Sequence, residues 1–188
     1  MTTARRLHYS YEEYLEALKR SELKLEFHAG NLYAMAGGTV AHAALSANAT
    51  FILRRELKPC TVFSSDLKVR IERTDMATFP DVSVVCGPVE RSPIDAHALT
   101  NPIILVEVTS RSTEDYDRGE KLSHYQQIPA IRAVVIVSHR QRSVTVIRRA
   151  GQGWVEQDMR AGELVELTEP KLTFSVDELY EGVTLEAA

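Results

Sequence analysis

The sequence predicts a single α/β domain in which a central mixed sheet carries helices packed against it. Three observations predict it. The strand candidates "DVSVVC", "IILVEV" and "AVVIV" are apolar enough to be buried on both faces. Helical patterns alternate with strand patterns along the chain, in an order that suits layered packing. The chain has 188 residues, 44% hydrophobic and 26% charged, ordinary values for one globular domain.

The elements follow in order. "SYEEYLEALKR" reads as a short helix, with Ser10 as N-cap and Glu13 three residues on in a capping-box pattern. "LKLEFHAGNLYAMAGG" reads as a hairpin around the turn signal Ala29-Gly30-Asn31. In "TVAHAALSANATFILRREL", Thr39 is the expected N-cap, and His42, Leu45, Ala49, Ile52 and Leu53 share one helical face. Three strands come next: "CTVFSSDLKVRIE", "FPDVSVVCG" and "PIILVEVTS". The intervening "PVERSPIDAHALTNP", with three prolines, reads as a loop. "STEDYDRGEKLSHYQQI" reads as a helix capped by Ser112. "RAVVIVSH" and "SVTVIRRA" are strands around a polar turn. "WVEQDMR" and "ELVELT" suggest a further hairpin with Gly162 near its turn, and "SVDELYEG" a closing helix. The expected organisation is one domain: helix and hairpin over 1–38, core over 39–138, and a β-rich extension over 139–188.

Composition limits the function classes. No apolar run approaches the roughly 18 residues needed to span a bilayer. Two arginines near the N-terminus have no apolar stretch behind them, so a signal peptide is not expected. Cys60 and Cys86 form no CxxC pair, and Cys86 ends an apolar run as a buried thiol would. A reduced, cytoplasmic protein is the expectation. A net charge of −4 argues against coating nucleic acid by bulk positive charge. It leaves room for local basic surfaces such as "LRRELK" and "SHRQRSVTVIRRA".

Two of the strands carry an acid where the pattern calls for an apolar or neutral residue. Asp81 opens "DVSVVC" after Pro80, and Glu107 interrupts "IILVEV". An unpaired buried carboxylate is costly. On neighbouring strands the two side chains would converge, and their repulsion would raise one pKa. A divalent cation removes the conflict, and Mg²⁺ favours hard oxygen ligands alongside water and phosphate. Taken singly, Asp81 also fits a turn-stabilising role, and Glu107 an edge or ion-paired one. In the following helix Asp117, Lys121 and Tyr125 are spaced four apart, and Ile128 falls in the same arc. Lys121 then either pairs with Asp117 on a solvated surface or is aimed over the sheet toward Glu107.

"FPD" on one strand, "EVTSRST" on the next and the D…K…Y helix resemble the PD-(D/E)XK, restriction-endonuclease-like superfamily. More narrowly, the chain is similar to the Uma family of endonucleases over nearly its whole length. Glu26, Gly30 and Met35 resemble that family's E-x-x-x-G-x-x-x-x-M region. The resemblance implies a restriction-endonuclease-like fold, with a central mixed sheet, flanking helices and added hairpins at both ends. It implies that Asp81 and Glu107, with the Val108 carbonyl, hold Mg²⁺, for which Mn²⁺ can substitute. The parent motif's lysine position is Thr109 here, and the resemblance implies that Lys121 has taken over that role from the helix. Glu26 matches the family's early acid. His42 lines the same cleft or is a satisfied core histidine, and Asp66 is a further candidate. The implied activity is DNA phosphodiester hydrolysis, with Arg54, Arg55, Arg140 and Arg142 on the DNA backbone and a homodimer by analogy. Two rivals stand beside it. One is a silent nuclease fold used for binding. The other is a sugar hydrolase, which one tryptophan, Trp154, serves badly.

Overall fold

The computed structural model describes residues 8–35, 37–110 and 114–185. The first helix, α1 (Tyr11–Arg20), starts at Ser10, whose hydroxyl accepts from the Glu13 N–H while the Glu13 carboxylate accepts from the Ser10 N–H. This reciprocal pairing satisfies two otherwise orphan donors. Strands β1 (Leu25–His28) and β2 (Asn31–Ala34) pair in register across a two-residue turn. Ala29 and Gly30 both have positive φ there, as a hairpin turn matched to strand twist requires. Helix α2 (Val40–Glu56) is capped by Thr39 and buries Leu45, Ala49, Ile52 and Leu53.

Next come β3 (Thr61–Ser64), β4 (Lys68–Ile71), a 3₁₀ turn (Glu72–Thr74), β5 (Met76–Thr78) and β6 (Val82–Val85). They are followed by β7 (Arg91–Ser92), β8 (Asp95–Leu99) and β9 (Ile104–Val108). A helical stretch follows in three parts: α3 (Glu114–Tyr116), a π-helical turn (Asp117–Lys121) and α4 (Leu122–Tyr125). The chain ends with β10 (Ala133–Val137), β11 (Ser143–Ala150), β12 (Gly153–Arg160), β13 (Leu164–Thr168), β14 (Lys171–Ser175) and α5 (Val176–Leu179).

The strands form two six-stranded mixed sheets and a separate hairpin. One sheet has the order β2-β1-β5-β4-β8-β7 and the other β12-β11-β10-β9-β6-β3, with β13 and β14 paired alone. Strands β6, β9 and β10 are buried along their whole length at the centre of the second sheet. One face of that sheet packs on α2, α5 and the β13–β14 hairpin through residues such as Leu45, Val106, Val135 and Tyr180. The other face packs on α4 and the first sheet through Leu105, Tyr125, Ile136, Ile71 and Met76. Among the described residues, no helix is long and apolar enough to cross a membrane.

Four local expectations are corrected. "CTVFSSDLKVRIE" is not one strand: a turn after Ser64 sends β3 and β4 into different sheets. The proline-containing loop holds β7 and β8, because β8 finds an edge to join, in parallel with β4. "WVEQDMR" does not pair with "ELVELT". The Gly151 turn, at φ +58°, folds β12 back on β11, so "ELVELT" pairs forward with β14. Cys86 is exposed rather than a buried thiol, and it is disulfide-bonded to Cys60. The antiparallel register Thr61↔Val85 sets the two cysteines side by side at the end of β3 and β6, with Cα atoms 4.2 Å apart. The expected Ser112 cap lies outside the described residues.

Tyr180 illustrates how the C-terminal turn is fastened. Its fully buried hydroxyl lies 2.6 Å from the Ser138 carbonyl and 2.8 Å from the Ser143 carbonyl, bridging the β10–β11 turn. Tyr180→Phe leaves that turn short of a donor. It is expected to lose about 1–2 kcal/mol in urea unfolding, within the range for an unmade buried hydrogen bond.

Candidate functional site

The site lies where the chain steps from one sheet to the other. Strand β5 ends at Thr78 in the first sheet, and Phe79 and Pro80 lead directly to Asp81 and β6 in the second. Strands β6 and β9 are antiparallel neighbours with Val82 opposite Val106. One step further along that register, Asp81 stands across from Glu107. The Val108 N–H donates to Asp81 Oδ2 at 2.7 Å, which fixes the carboxylate at the end of β9. Asp81 is 8% exposed and Glu107 5%.

Lys121 enters from the helical stretch and is itself buried. Its ammonium lies 2.9 Å from Glu107 Oε1, 3.5 Å from Glu26 Oε1 and 3.7 Å from Asp117 Oδ1. Asp117, Lys121, Tyr125 and Ile128 are all buried, so the inward face survives the π turn inserted between Asp117 and Lys121. Such turns recur at functional sites. The Tyr125 hydroxyl donates to Glu107 Oε1. Glu26, on β1, accepts from the Thr78 hydroxyl and from the Phe79 N–H at 3.2 Å, which ties the first sheet to the crossing segment. Thr78 and Phe79 were not singled out in the sequence, because a threonine and a backbone amide carry no pattern of their own.

His42 projects from the first turn of α2 to Asp81, with Nε2 3.3 Å from Oδ2, and it also bonds the Val108 backbone. Gly38 makes room for it: a Cβ there would lie 2.8 Å from His42 Nδ1. Beside His42 and Asp81 opens a cleft of about 830 Å³, lined also by Lys24, Met35, Ser46 and Phe51.

Among the described residues, Glu26, Glu107 and Asp117 gather around the Lys121 ammonium, and Asp81 faces His42. Burial pushes the Glu107 carboxyl up to about 8, and Asp81 and Asp117 add to the rise against the pull of Lys121 and Tyr125. Burial works against the Lys121 charge, but Glu107, Glu26 and Asp117 outweigh it and keep the ammonium protonated well above the usual lysine range. The hydrogen bond to Asp81 raises His42 as well.

Other sequence candidates lie elsewhere. Asp66 does not join the cluster. It sits exposed in the turn after β3, with its carboxylate 2.8 Å from Lys24. Thr109 is buried, but its hydroxyl is turned to His139 Nδ1 at 2.9 Å and to the Val137 carbonyl. Three of the four arginines expected on DNA have acidic partners: Arg55 with Glu56 and Glu178, Arg140 with Glu114, and Arg142 with Asp177. Arg54 is exposed at the end of α2. A group absent from the sequence reading is His28, Glu120 and His124, whose ligand atoms lie within 4.8 Å of one another. Two signals pointed to it: His28 follows Glu26 by two on a strand, and Glu120 precedes His124 by four on a helix.

With this geometry in place, comparison with known proteins assigns the family. A family model described as "Putative restriction endonuclease", Uma2, matches residues 11–177. The chain belongs to the Uma2 family. An uncharacterized protein of Synechocystis sp. is 35% identical over 177 residues, covering 93% of this chain and 92% of that protein. A second from the same organism is 28% identical over 127 residues, covering 66% of this chain and 72% of its own. The crystal structure of a putative nuclease belonging to DUF820 from Anabaena variabilis matches with a TM-score of 0.74 at 19% identity. It covers 92% of this chain and 98% of its own. That likeness shows that this Uma2 chain shares its mixed α/β fold with that structure.

The raised Glu107 carboxyl gives a pH signature in metal-free protein. The folded state holds this proton more tightly than the unfolded chain, so stability is full below the unfolded value near 4.5 and falls as pH rises through about 8. Urea unfolding in EDTA should show that decline in the wild type and a flatter profile in Glu107→Gln. Equal slopes in the two proteins would remove Glu107 as its source.

Proposed function

We propose that this Uma2 protein is a Mg²⁺-dependent endonuclease that hydrolyses phosphodiester bonds in DNA. The observation that carries this reading is the convergence of Asp81, Glu107, Glu26 and Lys121 in one buried cluster beside an open cleft. The donor set fits a hard divalent cation. Asp81 and Glu107 lie side by side at the ends of neighbouring strands, and carboxylate oxygens on rigid strands are ligands that Mg²⁺ accepts. Asp81, Glu107 and the Val108 carbonyl would hold it. Bound there, the ion would supply Lewis acidity toward a phosphoryl oxygen and lower the pKa of a water.

The protein's own groups do the rest. Glu26, Glu107 and Asp117 hold the Lys121 ammonium in place, and Tyr125 orients the Glu107 carboxylate. Because Lys121 stays protonated, it serves as fixed positive charge for the pentavalent phosphorane-like transition state and not as a base. His42, bound to Asp81 and Val108, positions the same two groups at the mouth of the cleft. Thr109 stays outside the chemistry because its hydroxyl is committed to His139 and Val137.

The test is conversion of supercoiled plasmid to nicked or linear forms. Wild type should cut with Mg²⁺ or Mn²⁺ and poorly with Ca²⁺, whose looser coordination positions water less well. Lys121→Ala should slow cutting by about 10²–10³-fold, the usual cost of one electrostatic contact to a transition state, while Mg²⁺ binding by calorimetry persists. Lys121→Arg should rescue little, because a planar guanidinium does not replace a compact ammonium in a buried site. Glu107→Gln should lose both metal binding and cleavage. Mg²⁺ binding with no cleavage of any DNA form would instead assign the chain to a silent nuclease fold.

A further inference from the structure

We propose that His28, Glu120 and His124 form a second cation site, suited to Zn²⁺ rather than Mg²⁺ and independent of the nuclease reading. The three residues come from two elements that pack against each other. His28 closes β1, Glu120 lies in the π turn, and His124 follows on α4. His28 Nδ1 is 3.2 Å from Glu120 Oε1, and His124 Nε2 is 4.0 Å from the same oxygen. The two imidazole rings meet edge to face with centroids 4.4 Å apart. Around tetrahedral Zn²⁺, with bonds of about 2.0–2.2 Å, ligand atoms sit roughly 3.3 Å from one another. The His28–Glu120 edge already has that spacing, the Glu120–His124 edge is 4.0 Å, and all three ligand atoms lie within 4.8 Å of one another, so a small inward shift of His124 closes the triangle.

A polar contact joins His28 to Glu120, but nothing of that kind accounts for the position of His124. His124 Nδ1 is buried without a partner, and its Nε2 stands too far from Glu120 for a hydrogen bond. The histidine side chains are 20% and 13% exposed and therefore largely held in place, whereas that of Glu120 is 55% exposed. The open side gives an ion a path in and leaves a fourth position for water. Two imidazoles and one carboxylate form a borderline donor set, distinct from the all-oxygen set at Asp81 and Glu107. The two sites would therefore sort different metals. Glu120 adjoins Lys121, and His28 lies two residues beyond Glu26 on the same strand. An ion here would clamp the helix that carries Lys121 to the strand that carries Glu26.

Calorimetric titration of untagged full-length protein with Zn²⁺, in excess Mg²⁺ to fill the oxygen site, decides the matter. Wild type should bind one Zn²⁺ per chain, and Glu107→Gln should do the same. His28→Ala and His124→Ala should each weaken binding by at least about 100-fold, beyond the 10–100-fold typical of losing a group that only supports a ligand. Exposed Glu120→Gln, which carries little risk to folding, should also weaken it. Co²⁺ should give the intense visible bands of a tetrahedral site in wild type and not in the histidine variants. Zn²⁺ should raise the thermal midpoint of wild type and of Glu107→Gln, but not of the histidine variants. The site is overturned if wild type takes up no Zn²⁺ under these conditions. It is equally overturned if His28→Ala and Glu120→Gln, folded by circular dichroism, titrate like wild type.

Discussion

The buried contact between Lys121 and Glu107 is the constraint around which the rest is arranged. Taking two charges out of water costs several kcal/mol each, and their attraction repays that only if further polar contacts complete them. Here three residues complete the pair. Tyr125 donates to Glu107 from the helix, while Glu26 from the first sheet and Asp117 from the helix reach Lys121. Asp81 in turn is held by the Val108 N–H and by His42.

The position of these groups follows from the local architecture. Apolar residues fill most of the central strands of the second sheet, and the one charged residue among them, Glu107, sits near the end of β9. Asp81 and Glu107 sit at that end, where a backbone N–H of β9 is left free to bind the Asp81 carboxylate. The π turn acts on the other partner. It brings Asp117 and Lys121 into the same buried corner while leaving Glu120 half open to solvent.

Much of this was legible in the sequence because charge interrupted an apolar pattern. Asp81 and Glu107 stood out as acids within strands, and helical spacing placed Lys121 with Tyr125 and Ile128. The capping box at Ser10 and the cap at Thr39 are local signals, and the structure contains both of them. What stayed illegible depends on partners distant in sequence. Nothing in "DAHAL" announces that β4 offers it an edge, and nothing in "WVEQDMR" says which neighbour it will choose. Asp66 had the right residue type and the wrong address, because a turn at Ser65 points it to solvent and Lys24. His28 and His124 each resembled an ordinary histidine until the fold set them 4.4 Å apart.

The ties from Glu26 to Thr78 and Phe79 have a mechanical meaning. One half of the cluster rides on the first sheet and the other half on the second, with only Phe79 and Pro80 of chain between them. Neither sheet alone carries the whole cluster. Parting the layers would separate Glu26 from Lys121. Only the docked sandwich brings all four acids and the lysine together.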